Sequence, residues 1–459
     1  MSPILRGAFL AALLFGAVAG ARAEDPPADP PAPDAPPTEP APEPEAQAAP
    51  LDKQIKDAIE KGVAFLRTQQ QPSGSWGDLN SKAPTYSGGG TPWQHPLGAT
   101  AMAIYAMLKC EVPATDPAVV KGLTWMKKAG IKDNSSAYEI AASLLAVTAT
   151  ADPFKKTKDA AAAGAKVRLS AEWKPLAATL QKALLDRRNP RGWRYSKLGV
   201  NPGGTEDVSS TMFAMLALTA ADRCGLPLDP GVVVGTASYV MSLQEKDGPE
   251  VPRAVRARRP AAAKPDKDKG RYAGPGSPEE PKDHARGFHY SIDPSTKDDD
   301  KVVTGARTSC GIGVLTLARY FLSTAKLDPA KPTIQPKTLD RCIYDGLAWL
   351  AQNWNPSTNP ASPGGRAINY MYATERAMDL VGADRLGEHL WYVEMVQALL
   401  PMQEERGSWD TKDTQVGEKS PIIDTAYALL FLRRAAQGGV PMPIVTGGDD
   451  DAPVDNRDK

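Results

Sequence analysis

Two kinds of apolar pattern alternate along the chain. In segments such as Gln54 to Gln69 the apolar positions fall on one side of a 3.6-residue repeat, which predicts an amphipathic helix. In segments such as Ser210 to Ala220 the residues are apolar nearly all round, which predicts a helix covered on every side. Amphipathic candidates begin near Asp52, Pro117, Ala171, Asp229, Leu339 and Gly387; apolar ones begin near Pro96, Ser136, Glu206, Gly305, Ala367 and Pro421. An outer helix followed by an inner one, about six times over, predicts an all-α fold: an (α/α)6 toroid of helical hairpins in two concentric layers.

Two short signatures mark the repeating unit. Gln70, Gly74 and Trp76 follow the first outer helix, and Gln403, Gly407 and Trp409 follow the last, with the same Q-x-x-x-G-x-W spacing. A degraded copy keeps Gly192-Trp193, and another keeps Gln244 and Gly248 but is interrupted before Gly287-Phe288-His289-Tyr290. Inside the inner helices, Ile104 to Leu108, Met212 to Leu216 and Ala426 to Leu430 repeat an aromatic, an alanine and long apolar residues in register. The turn residues read as staples: Gln bonds orphan carbonyls at the helix end, Gly takes the left-handed position, and Trp covers the exposed end.

The ends of the chain have a different character. Arg6, the apolar run Ala8 to Gly20 and the small-residue site Ala21-Arg22-Ala23 read as a secretory signal spanning 1–23; the run is too short for a transmembrane anchor. Residues 24–50 are nearly all Pro, Ala, Asp and Glu and read as a disordered tether, and 446–459 as an acidic tail. The toroid then occupies 51–445, with a charged, Pro-rich stretch at about 249–285 read as a disordered insertion. Its Arg253 to Arg259 cluster reads as a solvated charge run or as a grip for an acidic partner. Lys plus Arg and Asp plus Glu number 54 each, so net charge points to neither nucleic acid nor an anionic membrane. Cys110, Cys224, Cys310 and Cys342 lie in or at the ends of apolar helical patterns without the close pairing of a metal knuckle, and read as buried free thiols.

The Q-x-x-x-G-x-W copies resemble the repeats of squalene-hopene and oxidosqualene cyclases, and the whole pattern resembles the prenyltransferase and squalene-oxidase repeat group. The stretch from Tyr370-Met371-Tyr372-Ala373-Thr374-Glu375-Arg376 to Ile423-Asp424-Thr425-Ala426 is similar to exported bacterial, planctomycete-type members of that group. The resemblance implies the toroid strongly and an activity weakly. The cyclases' D-x-D-D acid has no counterpart: Asp298-Asp299-Asp300 is flanked by Lys297 and Lys301, and Asp424-Thr425-Ala426 resembles the oxidosqualene-cyclase acid motif without its cysteine. Asp340-Arg341-Cys342 with His389 copies the spacing of the prenyltransferase zinc ligands, but the pair opens an outer helix, and Asp424 stands where the histidine would be sought. No cofactor and no metal is therefore expected.

Two function classes remain. The first is a binding module using the central cavity or one rim, for a small-molecule, lipid or glycan ligand or another exported protein. The second is an enzyme of the toroid class, a polysaccharide lyase or hydrolase or a divergent terpene cyclase. Its carboxylates would be Glu375 and Asp424 on adjacent inner helices, with Arg376 holding an anionic group and Tyr372 beside them. Glu375 and Arg376 sit mid-helix, where they either form a structural pair or line a polar cavity. Tyr370, Tyr372, Tyr427, Phe213 and Tyr105 are the matching aromatic wall, or plain core. Glu206 and Asp207 read as the capping start of the helix that follows.

Overall fold

The computed structural model describes residues 49–77, 96–133, 135–151, 167–195, 206–255, 281–292, 301–325, 330, 333–362, 367–410 and 420–434. The signal, nearly all of the tether, the middle of the insertion, the Asp298 run and the acidic tail lie outside them.

Six helices form an inner layer: α2 (Pro96–Lys109), α4 (Ala137–Ala149), α6 (Val208–Arg223), α8 (Gly305–Thr324), α10 (Ala367–Val381) and α12 (Pro421–Leu432). Six form an outer layer: α1 (Leu51–Thr68), α3 (Pro117–Ala129), α5 (Lys174–Asp186), α7 (Pro230–Ser242), α9 (Pro336–Gln352) and α11 (Trp391–Leu399). Local chemistry sets the starts. Asp116, Ser136, Asp207, Asp229, Thr304 and Ser420 cap helices with their side chains; α2, α3, α7, α9 and α12 open on a proline, and α5 has one at its second position. The two patterns in the sequence translate into burial: every residue of α4 is buried, whereas α1 buries only Ala58, Gly62, Phe65 and Leu66.

The inner helices pack in the order α2, α4, α6, α8, α10, α12, and α12 packs back on α2. They run parallel. Tyr138 reaches Ser209 near the starts of α4 and α6, and Cys224 reaches the Thr148 carbonyl near their ends. Gly305, Ser309 and Gly313 of α8 lie beside Tyr370, Thr374 and Leu380 of α10 in the same sense. Arg433, just past α12, donates to the carbonyl of Lys109 at the end of α2. The result is the (α/α)6 toroid, closed, with six helix N-termini at one mouth.

The turn residues staple neighbouring repeats rather than only their own helix. Gln70 Nε2 donates to the carbonyl of Ala118 in the next outer helix, at 2.9 Å, and Gln244 Nε2 donates to that of Cys342 at 2.8 Å. Gln403 does the same to Ala58, and so ties the last hairpin to the first. Each staple ring packs on a glycine of that next helix: Trp76 on Gly122, Phe288 on Gly346 and Trp409 on Gly62. A threonine of the following inner helix accepts from the staple's backbone N–H, through Thr100, Thr211, Thr308 and Thr425 for Trp76, Trp193, Phe288 and Trp409.

The insertion departs from the expectation of a disordered loop at both ends. Glu250–Pro252 (β1) and Lys282–His284 (β2) form an antiparallel ribbon. Arg253 pairs with Asp283 and lies 3.9 Å from the Tyr344 ring centroid, so it belongs to the fold and not to a free charge run. Asp345 of α9 accepts from the His284 N–H and pairs with Arg286. These polar residues are ordered because each charge finds a partner against an otherwise apolar surface. The four thiols are free, and burial pushes Cys224 up to about 11 and Cys310 up to about 12. No helix among the described residues is long and apolar enough to cross a membrane.

Candidate binding site at the N-terminal mouth of the ring

The centre of the ring is filled at mid-height. Tyr372 of α10 and Tyr427 of α12 have ring centroids 4.6 Å apart. Phe213 of α6 approaches Tyr372 to 5.7 Å and Tyr427 to 6.4 Å, although α6 stands opposite α12 in the ring. Tyr138 of α4 extends the cluster, 5.0 Å from Phe213. Phe213, Tyr372 and Tyr427 are 5%, 2% and 3% exposed, so the expected aromatic wall is packed core rather than the lining of an open channel. Tyr370 does not join it; its ring lies against Gly305 at the start of α8.

Glu375 and Arg376 lie one helical turn beyond this cluster, 0% and 2% exposed. Arg376 Nε is 3.0 Å from Glu375 Oε2, close enough for an ion pair but not aligned as a hydrogen bond. The guanidinium covers the Tyr372 ring at 4.6 Å. Burial works against the Arg376 charge, but Glu375, helped by Tyr372, Tyr105 and Asp379, outweighs it and lifts the guanidinium above its ordinary range. Burial likewise raises the Tyr105 and Tyr372 hydroxyls. The Arg376 guanidinium thus stays charged in a packed interior.

Asp424 sits elsewhere. It is in the first turn of α12, half-buried, three residues before Tyr427, whereas Glu375 is three residues after Tyr372. Because the two tyrosines are level and the helices parallel, Glu375 and Asp424 are displaced in opposite directions, by roughly 9 Å along the ring axis at 1.5 Å per residue. The structure therefore joins Glu375, Arg376 and Tyr372 under the aromatic cluster and leaves Asp424 at the mouth.

Around that mouth a second polar cluster gathers. Asp207, the N-cap of α6, accepts from the Ser210 N–H at 2.7 Å, from Ser210 Oγ at 2.8 Å and from Ser209 Oγ at 2.9 Å. Tyr138 Oη donates to Ser209 Oγ at 2.5 Å, which links a ring of the central cluster to that carboxyl. Burial raises the Asp207 carboxyl above its ordinary range, against the opposing pull of Arg194 and the serine hydrogen bonds. Tyr290 Oη donates to Tyr195 Oη at 2.8 Å, and Tyr195 stacks on Tyr138 at 5.5 Å. The Arg194 guanidinium lies 5.7 Å from the Tyr290 centroid and Arg307 lies 5.1 Å from it. Tyr195, Ser209, Arg307 and Asp424 remain half-exposed. Glu206 is taken up by Arg191, whose N–H and guanidinium both donate to it.

Two backbone hydrogen bonds hold the loops that supply these residues. The Tyr195 carbonyl accepts from the Ala137 N–H at the start of α4, and the Tyr290 carbonyl accepts from the Val208 N–H at the start of α6, each at 3.0 Å. Both tyrosines stand two residues after a staple aromatic, Trp193 or Phe288. That shared offset was the available sequence signal for them.

No protein-family model matches the chain, and no curated protein matches it. Among solved structures it is similar to the type II terpene cyclase MstE from Scytonema, at 13% identity, 84% of this chain, 99% of that one and a TM-score of 0.45. An α-1,6-mannanase of glycoside hydrolase family 76 from Salegentibacter, solved with α-1,6-mannotriose, gives 10% identity, 83% and 99% coverage and a TM-score of 0.47. A possible family 105 member from Salmonella enterica gives 13%, 86%, 96% and 0.46. Likeness at this level does not carry over what those proteins bind.

The residues with prenyltransferase-like spacing have other partners. Asp340 of outer helix α9 pairs with Arg319 of inner helix α8 at 2.8 Å, and the Cys342 carbonyl accepts from the Gln244 staple. His389 lies over Trp354 and 3.1 Å from Glu394.

Proposed function

We propose that this chain is a binding module that takes a polyhydroxylated, glycan-like ligand at the N-terminal mouth of its inner ring. The observation that carries the proposal is the contact of Phe213 with Tyr427 across the ring, which fills the centre and leaves the mouth as the polar and aromatic surface. Half-exposed Tyr195, its hydroxyl held by buried Tyr290, suits stacking against a sugar face, and Arg307, Ser209 and Asp424 offer donors and acceptors of both signs. A lipid or a polyprenoid fits this surface less well, because its apolar bulk would need the space the central rings occupy.

Isothermal titration with mannotriose, cellotriose and trigalacturonate tests the reading. At least one trisaccharide should bind, and Tyr195→Ala or Tyr290→Ala should weaken it about tenfold, in line with roughly 1–1.5 kcal/mol for an aromatic contact. Absence of binding by all three, or binding indifferent to both substitutions, overturns it; so does cyclisation of squalene by the purified chain.

The enzyme alternative now rests on Asp207 rather than on Glu375 with Asp424. A buried carboxyl whose pKa burial raises, linked through Ser209 to Tyr138, is a candidate for general-acid work. Release of reducing ends that disappears in Asp207→Asn would turn the module into a hydrolase. Export through Arg6 to Ala23, and kinship with planctomycete-type squalene-cyclase-like proteins, belong to the same proposal and rest on the sequence signatures alone.

A further inference from the structure

The outer layer contains a second site. α3 packs on α2 and α5 packs on α4, and between the two outer helices a slot of about 320 Å³ runs inward to the inner layer. Its floor is Leu97, Met126, Ser143 and Leu180, all buried, and Ile131 and Leu176 form its half-buried walls. The Ser143 hydroxyl is committed to the Glu139 carbonyl at 2.7 Å, so the floor has no donor to spare for a polar ligand. The lip is different: Lys127 and Glu172 are exposed, and Lys127 Nζ stands 6.0 Å from the centroid of the Trp173 ring.

We propose that this slot binds the tail of a single-chain fatty acid, with the carboxylate at Lys127. An apolar cavity of about 150 Å³ already takes up benzene, and ligand pockets start near 300 Å³, so a slot of this size has room for a slender tail. Gly130 keeps the entrance clear. It has φ +64° and ψ −178°, a conformation essentially restricted to glycine, and nothing lies within 4 Å of where its Cβ would be. Lys127 lines the slot and is exposed, so its ammonium is available to a carboxylate head while its alkyl stem can cover apolar surface. Glu172 lies on the same lip and opposes an anionic head, which gives the proposal a test of sign.

The test is a fluorescence titration of the whole chain with trans-parinarate, a straight-chain polyene fatty acid, with decanoate and decanol as competitors. Saturable one-to-one binding is expected, with decanoate displacing the probe more effectively than decanol. Lys127→Gln should weaken probe binding about fivefold, and Glu172→Gln should tighten it two- to threefold. Leu180→Trp fills the slot and should weaken binding at least tenfold. Should that variant not fold, Leu176→Arg, which places a charge on the half-buried wall, gives the same expectation. Tyr195→Ala at the mouth should leave probe binding unchanged, which separates this site from the glycan proposal. Unsaturable binding, wild-type affinity in the folded slot variants, or weaker binding on removal of Glu172 overturns the assignment.

Discussion

Glu375→Gln distinguishes a structural ion pair from a working acid. The substitution preserves shape and removes the charge that Arg376 faces at 3.0 Å, in a place where the two side chains are 0% and 2% exposed. Removing one partner of such a buried pair leaves the other charge uncompensated, at a cost of about 3–5 kcal/mol. With an unfolding entropy near 2.1 cal/mol/K per residue over the roughly 290 described residues, about 0.6 kcal/mol corresponds to one degree. Glu375→Gln should therefore lower the melting temperature by about 5–8 °C, read by circular dichroism. Adding Arg376→Met removes the stranded charge and should restore most of the loss, since a pair deleted together is often nearly neutral. A Gln variant that melts within about 1 °C of wild type, but loses ligand binding or turnover, would refute this account. It would return Glu375 to the list of site residues.

Three further outcomes follow from contacts on the page. Gly62→Ala places a Cβ 2.9 Å from Leu429 and 3.0 Å from Trp409 at the closure of the ring, and should cost about 1–3 kcal/mol in chemical unfolding; no change would mean that the first helix is not held there as described. Arg286→Met leaves buried Asp345 without its guanidinium and should speed hydrogen exchange at the His284 N–H that Asp345 accepts; unchanged protection would count against the pinned ribbon. Asp207 carries a pH dependence. Its folded carboxyl is raised above 3.8, so it favours the protonated native state: its stabilisation is full below that value and is lost as pH rises through the folded value. Wild type should therefore lose stability relative to Asp207→Asn as pH climbs above about 3.8, and a slope of the opposite sign in parallel melts would refute the burial argument.

The toroid was legible because its two layers differ in pattern. The all-round apolar run at Ser210 and the one-sided run at Gln54 map directly onto inner and outer burial, and Pro96, Pro117, Gly305, Ala367 and Pro421 are helix starts in the structure. The remaining expected starts were early or late by a few residues, as at Ala171 for Lys174 and Gly387 for Trp391, because Trp173 and Leu390 occupy the N-cap positions without a capping side chain. The staples were recognised but their reach was not. That Gln403 bonds Ala58, far away in sequence, depends on ring closure, which no local pattern records.

The site was less legible, for a reason of register. Neighbouring inner helices were correctly placed, but pairing Glu375 with Asp424 assumed that adjacent helices bring any two polar residues level. Tyr372 and Tyr427 set the level, and counting three residues in opposite directions from them separates the carboxylates. The ends of the insertion were missed because each charge there was judged alone. Arg253 with Asp283, and Arg286 with Asp345, become compatible with burial only as pairs.

The small residues of the inner helices explain why function moves to the mouth. Gly311 lets Phe288 lie directly on α8, and Gly313 admits the Met212 side chain from α6, so the helices approach closely and the ring is narrow. In a narrow ring, rings from opposite sides meet, and Phe213 with Tyr372 and Tyr427 excludes any ligand of their own size. Opening that centre would require at least three buried aromatic side chains to leave a close-packed core. Truncating even one buried aromatic typically costs about 3–5 kcal/mol, which is a large fraction of the stability of an ordinary domain. The mouth needs no such rearrangement: Tyr195, Ser209, Arg307 and Asp424 already face solvent in part, on helix starts and loops fixed by the same staples that close the ring.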